Sequence, residues 1–140
     1  MRLLILNGPN LNLTGTREPE IYGNQSFEDY FRMLKEKYAV LALDYFQSNH
    51  EGALIDQIHA SRNAYDGIII NAGAYSHTSI AIADALKAAK IPTVEVHISN
   101  IFGREEFRRN SYISPIAIGV ISGLGLDGYN LAVQYFINKK

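Results

Sequence analysis

Five short apolar runs divide the chain, at residues 3–6, 40–43, 68–70, 93–96 and 116–121. Most are rich in β-branched residues and unbroken rather than alternating. Strands read this way when both faces of a parallel sheet are covered, because no side chain then points to water. Helical patterns lie between the runs. "SFEDYFRMLKEKY" opens with Ser26 and has Asp29 three residues on, the spacing of a capping box. Phe27, Tyr30, Phe31, Leu34 and Tyr38 then mark one helical face. "EGALIDQIHASRNAY" and "TSIAIADALKAAK" are two more helices. The second stops before Ile91-Pro92, since the residue ahead of a proline avoids helical angles. "GYNLAVQYFINKK" is the last, and its two terminal lysines suit the helix dipole. Strands alternating with helices predict an α/β fold, a parallel sheet with helices on both faces. Ligands of such folds bind beyond the carboxyl ends of the strands.

Composition narrows the function. At 140 residues the chain is expected to form one domain, 1–140, with a proper core. A formal net charge of -1 argues against nucleic acid or an acidic membrane as partner, since both call for a basic face. Cysteine is absent, which excludes disulfides, thiolate catalysis and a Cys-based zinc site and fits a cytoplasmic home. The opening "MRLLILNGPN" reads as a first strand, because a secretory signal needs roughly 7–15 apolar residues. No run approaches the ~18 apolar residues of a membrane helix.

The segments that follow the strands carry the chemistry. They are "NGPNLNLTGTREPEIYG", "NAGAYSHTS", "HISNIFGREEFRRNS" and "SGLGLDG". The second run ends in "QSNHEG", which reads as a turn and helix start. In "VEVHIS" side chains alternate, so Glu95, His97 and Ser99 share one face and Val94, Val96 and Ile98 the other. Two readings stand side by side. Either the acid and the imidazole are a satisfied buried pair, or Glu95 fixes the tautomer of His97 and favours its charged form, leaving His97 as a general acid or base. In "REEFRRN", Arg104 and Arg108 are four apart, and Arg109 reads as solvated. Thr78 or Ser79 caps the helix that follows Asn71 and His77, and Asp84 within it reads as solvent-facing. Ser76 and His77 are not a nucleophile elbow, because Gly-x-Ser-x-Gly is absent. "GLGLDG" matches a dinucleotide fingerprint in letters only. The second strand and the acid about 20 residues later that such a site needs are lacking, and its three glycines read as turn residues. The four histidines show no metal-ligand spacing, and His50 and His59 read as a turn residue and a helix-surface residue. The loop "TGTREPEIYG" sets one guanidinium, Arg17, and one phenol, Tyr22, between two glycines.

Together, "LNGPNLN", "GTREPEIYG", "QSNHEG", "INAGAYSHTS", "VEVHISN", "REEFR" and "SGLGLDGY" resemble the type II 3-dehydroquinate dehydratases, in order and at the family's spacing over the whole chain. Two places depart from the family's pattern: Thr14, where an aliphatic residue is expected, and "RRN" at 108–110. The resemblance implies a flavodoxin-like three-layer sandwich on a five-stranded parallel sheet, with no metal, cofactor or Schiff base. It implies a homo-oligomer of trimers assembled into a dodecamer. It also implies loss of water from 3-dehydroquinate, by anti elimination through an enolate, in the shikimate pathway. Tyr22 is then the base, and Arg17 the cation that favours its phenolate. Both stand in a lid over about residues 14–23. Asn10 holds a water on the enolate oxygen, and His97 is the acid, oriented by Glu95. Asn71, Ser99 and the backbone of Ile98 and Ser99 take the substrate carboxylate. His77 and Arg108 take ring hydroxyls, and Asp84 reaches a neighbouring subunit's site. A flavin or regulatory module of the same fold is the competing reading, since fold does not fix function. A receiver domain calls for an acidic cluster and a flavodoxin for a Ser/Thr-rich loop after the first strand. The chain has neither. A dead scaffold kept for its assembly ranks last, because every chemical position is filled.

Overall fold

The central strands are built from residues that tolerate no water on either side. The computed structural model describes residues 1–15 and 25–139. In it β1 (Arg2–Asn7), β3 (Gly67–Asn71) and β4 (Thr93–His97) are buried along almost their whole length. With β2 (Ala42–Gln47) and β5 (Gly119–Ser122) at the edges they form a five-stranded parallel sheet in the order β2-β1-β3-β4-β5. This is the flavodoxin-like order, with its switch point between β1 and β3.

Period-two alternation deals the apolar side chains to two layers. Leu3, Ile5, Ile69, Val94 and Val96 pack on one face against Phe27 and Leu34 of α1 (Phe27–Lys37) and Tyr129, Val133 and Phe136 of α4 (Asp127–Lys139). Leu4, Leu6, Ile68 and Ile70 pack on the other against Leu54 and Ile58 of α2 (Glu51–Ala60) and Ile82 and Leu86 of α3 (Ile80–Ala89). Burying each such side chain contributes about 1.5–3 kcal/mol, so these two layers carry the fold. The helices start where side chains can cap them. Ser26 Oγ accepts from the Asp29 N–H at 3.2 Å, and Ser79, not Thr78, accepts from the Ile82 N–H at 3.0 Å. Helix α3 ends at Ala89 with Lys90 in the left-handed region, ahead of Pro92.

Two runs are displaced from where their apolar residues suggest. The run at 40–43 gives way to a strand at Ala42–Gln47, and Val40 is 93% exposed. An edge strand has one free flank, so the half-buried Asp44 and Gln47 are tolerated within it. The run at 116–121 begins in a 3-10 turn (Ser114–Ile116) holding Pro115, and β5 starts only at Gly119. "GLGLDG" also divides. Gly123 (φ 92°) and Gly125 (φ 63°) take turn conformations, whereas Gly128 lies in α4. A Cβ there would meet Val96 Cγ1 at 3.2 Å, so its smallness brings α4 close to the sheet.

The carboxyl ends of β1 and β3 are joined by a buried polar bridge. Asn7 and Asn71 are register partners. The Tyr129 hydroxyl donates to Asn7 Oδ1 and accepts from Asn71 Nδ2, both at 2.9 Å. Burial pushes the Tyr129 phenol far above its ordinary range, so it stays a neutral donor. Tyr129→Phe leaves two buried amides short of a partner and is expected to cost about 1–3 kcal/mol, read as a lower urea midpoint at unchanged slope.

Candidate active site

Three strand ends and the turns beyond them enclose one cleft, lined by Asn10, Asn71, His77, His97, Ser99, Arg104 and Arg108 among others. At its floor, β4 projects Glu95 and His97 to the same side. His97 Nε2 lies 2.6 Å from Glu95 Oε2, and both side chains are buried. Glu95 has two further donors. Ser111 Oγ donates to Oε2 at 2.6 Å, and Ser114 Oγ donates to Oε1. Burial pushes the Glu95 carboxyl up, but the hydrogen bonds from His97, Ser111 and Ser114 and the charge of His97 outweigh it and hold it below the ordinary carboxylate range. The carboxylate fixes the His97 tautomer: Nε2 carries a proton toward Glu95 and Nδ1 is left for other chemistry.

His77 ends a 3-10 turn after β3 (Gly73–His77) and stacks on His97, ring centroids 6.0 Å apart and planes 22° from parallel. Its Nδ1 lies 2.9 Å from the Asn110 carbonyl oxygen, which fixes Nδ1–H as donor and leaves Nε2. Burial pushes the imidazole below the ordinary histidine range. The Asn110 carbonyl opposes this, and the charges of His97 and Arg108 add to it. His77 is thereby kept as a neutral hydrogen-bonding group.

The cationic wall comes from the segment after β4. Arg104 Nη1 donates to Ser99 Oγ at 3.2 Å. Arg108 lies in a 3-10 turn (Glu106–Arg109), bonds Glu105 Oε1 at 3.2 Å and covers the Phe107 ring at 5.0 Å. Arg109 is exposed, in line with its reading as solvated. On the opposite wall Asn10 sits in the left-handed region (φ 69°), its N–H bonded to Asn49 Oδ1 at 3.0 Å. Thr14, the departure from the family pattern, lines the cleft and turns its hydroxyl back onto the Leu11 carbonyl at 2.8 Å.

The fold therefore brings Asn10, Asn71, His77, His97, Ile98, Ser99 and Arg108 to one cleft, with Glu95 beneath. Asp84 is not among them: it is exposed on α3 and does not line the cleft of its own chain. Arg17 and Tyr22 lie outside the described residues. The residues that sequence reasoning missed are supports. Gln47 Nε2 bonds the Gly8 carbonyl at 3.1 Å and Asn49 Oδ1 at 3.2 Å, and Tyr75 donates to the Asn49 carbonyl at 2.7 Å. "QSNHEG" is thus more than a turn and helix start, since it holds the Asn10 turn. Ser111, Ser114 and Tyr129 were likewise missed. Nothing local to them marked a partner so distant along the chain.

A flavodoxin-like protein whose cleft joins a buried Glu–His pair to two arginines is built for acid–base work on a small anionic ligand. The family model for class II dehydroquinases matches residues 1–137. A 3-dehydroquinate dehydratase of Dinoroseobacter shibae is 55% identical over 96% of this chain and 91% of its own. A catabolic 3-dehydroquinase of Verticillium alfalfae is 54% identical over 96% and 91%. The crystal structure of a type II dehydroquinase from Butyrivibrio crossotus superimposes with a TM-score of 0.93 at 48% identity, over 96% of each chain. The chain belongs to the class II dehydroquinases, the enzymes that dehydrate 3-dehydroquinate.

Because the folded Glu95 carboxyl lies below its ordinary value of 4.5, the stability it lends is present above that pH and lost as pH falls through the lowered folded value. Glu95→Gln should therefore be clearly less stable than the parent at pH 7, with the difference narrowing below pH 4.5. Urea denaturation at a series of pH values reads this directly.

Proposed function

We propose that this chain, acting as a single catalytic unit over 1–140, performs the dehydration by anti elimination through an enolate with a tyrosinate base and a histidine acid. The Glu95–His97 pair, 2.6 Å apart beside a cleft walled by arginines, is the observation that carries this reading.

The proton lost lies α to the ketone and the departing hydroxyl lies β to it. The Tyr22 phenolate takes the α-proton, and the C–H electrons move into the enolate. A free phenol, with a pKa near 10, is almost wholly protonated at neutral pH, so the Arg17 cation in the same lid is needed to favour the phenolate. Closure of the lid over about 14–23 excludes water and strengthens that attraction. A water held by Asn10 donates to the enolate oxygen. The ketone then re-forms, the C=C bond closes, and the C–O bond breaks. His97 gives its Nδ1 proton to the departing hydroxyl, which leaves as water. Tyr22 ends protonated and His97 neutral, so one net proton transfer between them resets the site.

Glu95 supports the step by stabilising the imidazolium. Asn71 uses Oδ1 on the Gly73 N–H at 3.1 Å and one Nδ2 proton on Tyr129, which leaves one N–H for the substrate carboxylate, beside Ser99 and the backbone of Ile98 and Ser99. Neutral His77 and Arg108 serve the ring hydroxyls. Asp84 serves the site of a neighbouring subunit in a dodecamer of trimers. The roles proposed for this chain's residues include no metal or cofactor.

Mixing the protein with 3-dehydroquinate should raise the enone absorbance of 3-dehydroshikimate, unaffected by EDTA or borohydride. Absence of a rise would reject the reading. Tyr22→Phe should abolish turnover while substrate still binds, and near-normal kcat would remove Tyr22 as base. His97→Ala should slow loss of the hydroxyl more than exchange of the α-proton in deuterated water. Equal loss of both would contradict the division of labour.

A further inference from the structure

Ser111 is not simply one of three donors to Glu95. Its Oγ accepts the Ile113 N–H at 3.1 Å and the Ser114 N–H at 3.3 Å. A hydroxyl has two lone pairs and one proton, so both acceptor positions are filled and the proton has one direction left, Glu95 Oε2 at 2.6 Å. Oε2 also faces His97 Nε2 at 2.6 Å. A proton moved from Nε2 to Oε2 would find Nε2 as its acceptor, but it would leave the Ser111 hydroxyl donating to a neutral acid oxygen, a weaker bond than the one to a carboxylate. Ser114 Oγ has no such restriction: it can donate to an ionised Oε1 or turn and accept from a protonated one. Ser111, which can only donate, therefore favours carboxylate with imidazolium over carboxylic acid with neutral imidazole.

We propose that Ser111 is a positioning residue for the His97 acid: its backbone-locked hydroxyl keeps Glu95 ionised and the shared proton on the imidazole. The lowered Glu95 carboxyl agrees with this. The groups around the pair are consistent with it. Beside Glu95 in the sheet, β3 and β5 present Ile70 and Val120, neither of which titrates. Among the described residues, the titratable and charged groups that line the cleft with His97 are His77, from the turn after β3, and Arg104 and Arg108, from the segment after β4. All three lie on the His97 side.

The inference rests on the dehydratase reading, and one assay separates the two. A parent protein that fails to turn over 3-dehydroquinate rejects that reading. A parent that turns over while Ser111→Ala matches it rejects the inference alone. The expected result for Ser111→Ala is a fall in kcat of about ten-fold or more, because a charge-assisted donor is lost. KM should stay within about two-fold and α-proton exchange should be retained. Ser111→Thr, which keeps the hydroxyl, should restore most of the rate. A merely structural serine would instead lower stability without separating elimination from exchange.

The carbon resonance of the Glu95 carboxyl gives a readout independent of turnover. It should report the ionised form at neutral pH in the parent and in Ser111→Thr, with its titration moved upward in Ser111→Ala. Should Ser111→Ala fail to fold, a protonated Glu95 at neutral pH in the parent still overturns the proposal.

Discussion

A carboxylate with no exposed surface, set in the second strand from the edge of a parallel sheet, is the constraint around which this site is arranged. Left alone, Glu95 would take up a proton rather than bear the loss of hydration. It stays ionised because donors reach it from two directions, His97 along its own strand and Ser111 with Ser114 from a segment well beyond it. Those serines do more than satisfy an acid. They pin the far end of the segment that follows β4, while Ser99 and Arg104 pin its start. Arg108 lies between the two anchor points and Arg104 at the first of them, so the cationic wall of the cleft is tied at its far end to the buried acid.

The other wall depends on the switch point. At the ends of β1 and β3 the chains diverge to opposite sides of the sheet, and a cleft opens between them. Asn7, Asn71 and Tyr129 close the floor with hydrogen bonds that would be lost to water at any exposed position. Above them Asn10 is held in a left-handed conformation by Asn49, which arrives from the end of the edge strand β2. Segments distant in sequence thus fix single side chains on each wall. That is how a small domain presents a rigid constellation.

The three inner strands were legible because burial on both faces leaves an unbroken apolar run. The edges were not. β2 carries Asp44 and Gln47 where a central strand would not tolerate them, while the apolar Val40 beside it faces solvent. In the site, Glu95 and His97 were readable as a pair since the two-residue period of a strand is a local rule. Asn10, His77 and Arg108 stood out as polar residues after strands. Arg17 and Tyr22 gained their roles from family resemblance. Asp84 gave no sign of a role by its own position, since it is exposed on α3 and does not line the cleft of its own chain.

By itself the sequence determined the parallel α/β plan, the shared face of Glu95 and His97, and the absence of thiol chemistry. These follow from periodicity and composition, which act over a few residues. Only the tertiary structure decided which proton each of those groups holds. The charge on Glu95 is held by Ser111 and Ser114 and the tautomer of His77 by the Asn110 carbonyl, each brought within hydrogen-bond distance by the fold. A hydrogen bond acts over about 3 Å, whereas the residues that make these bonds are 15 or more apart along the chain.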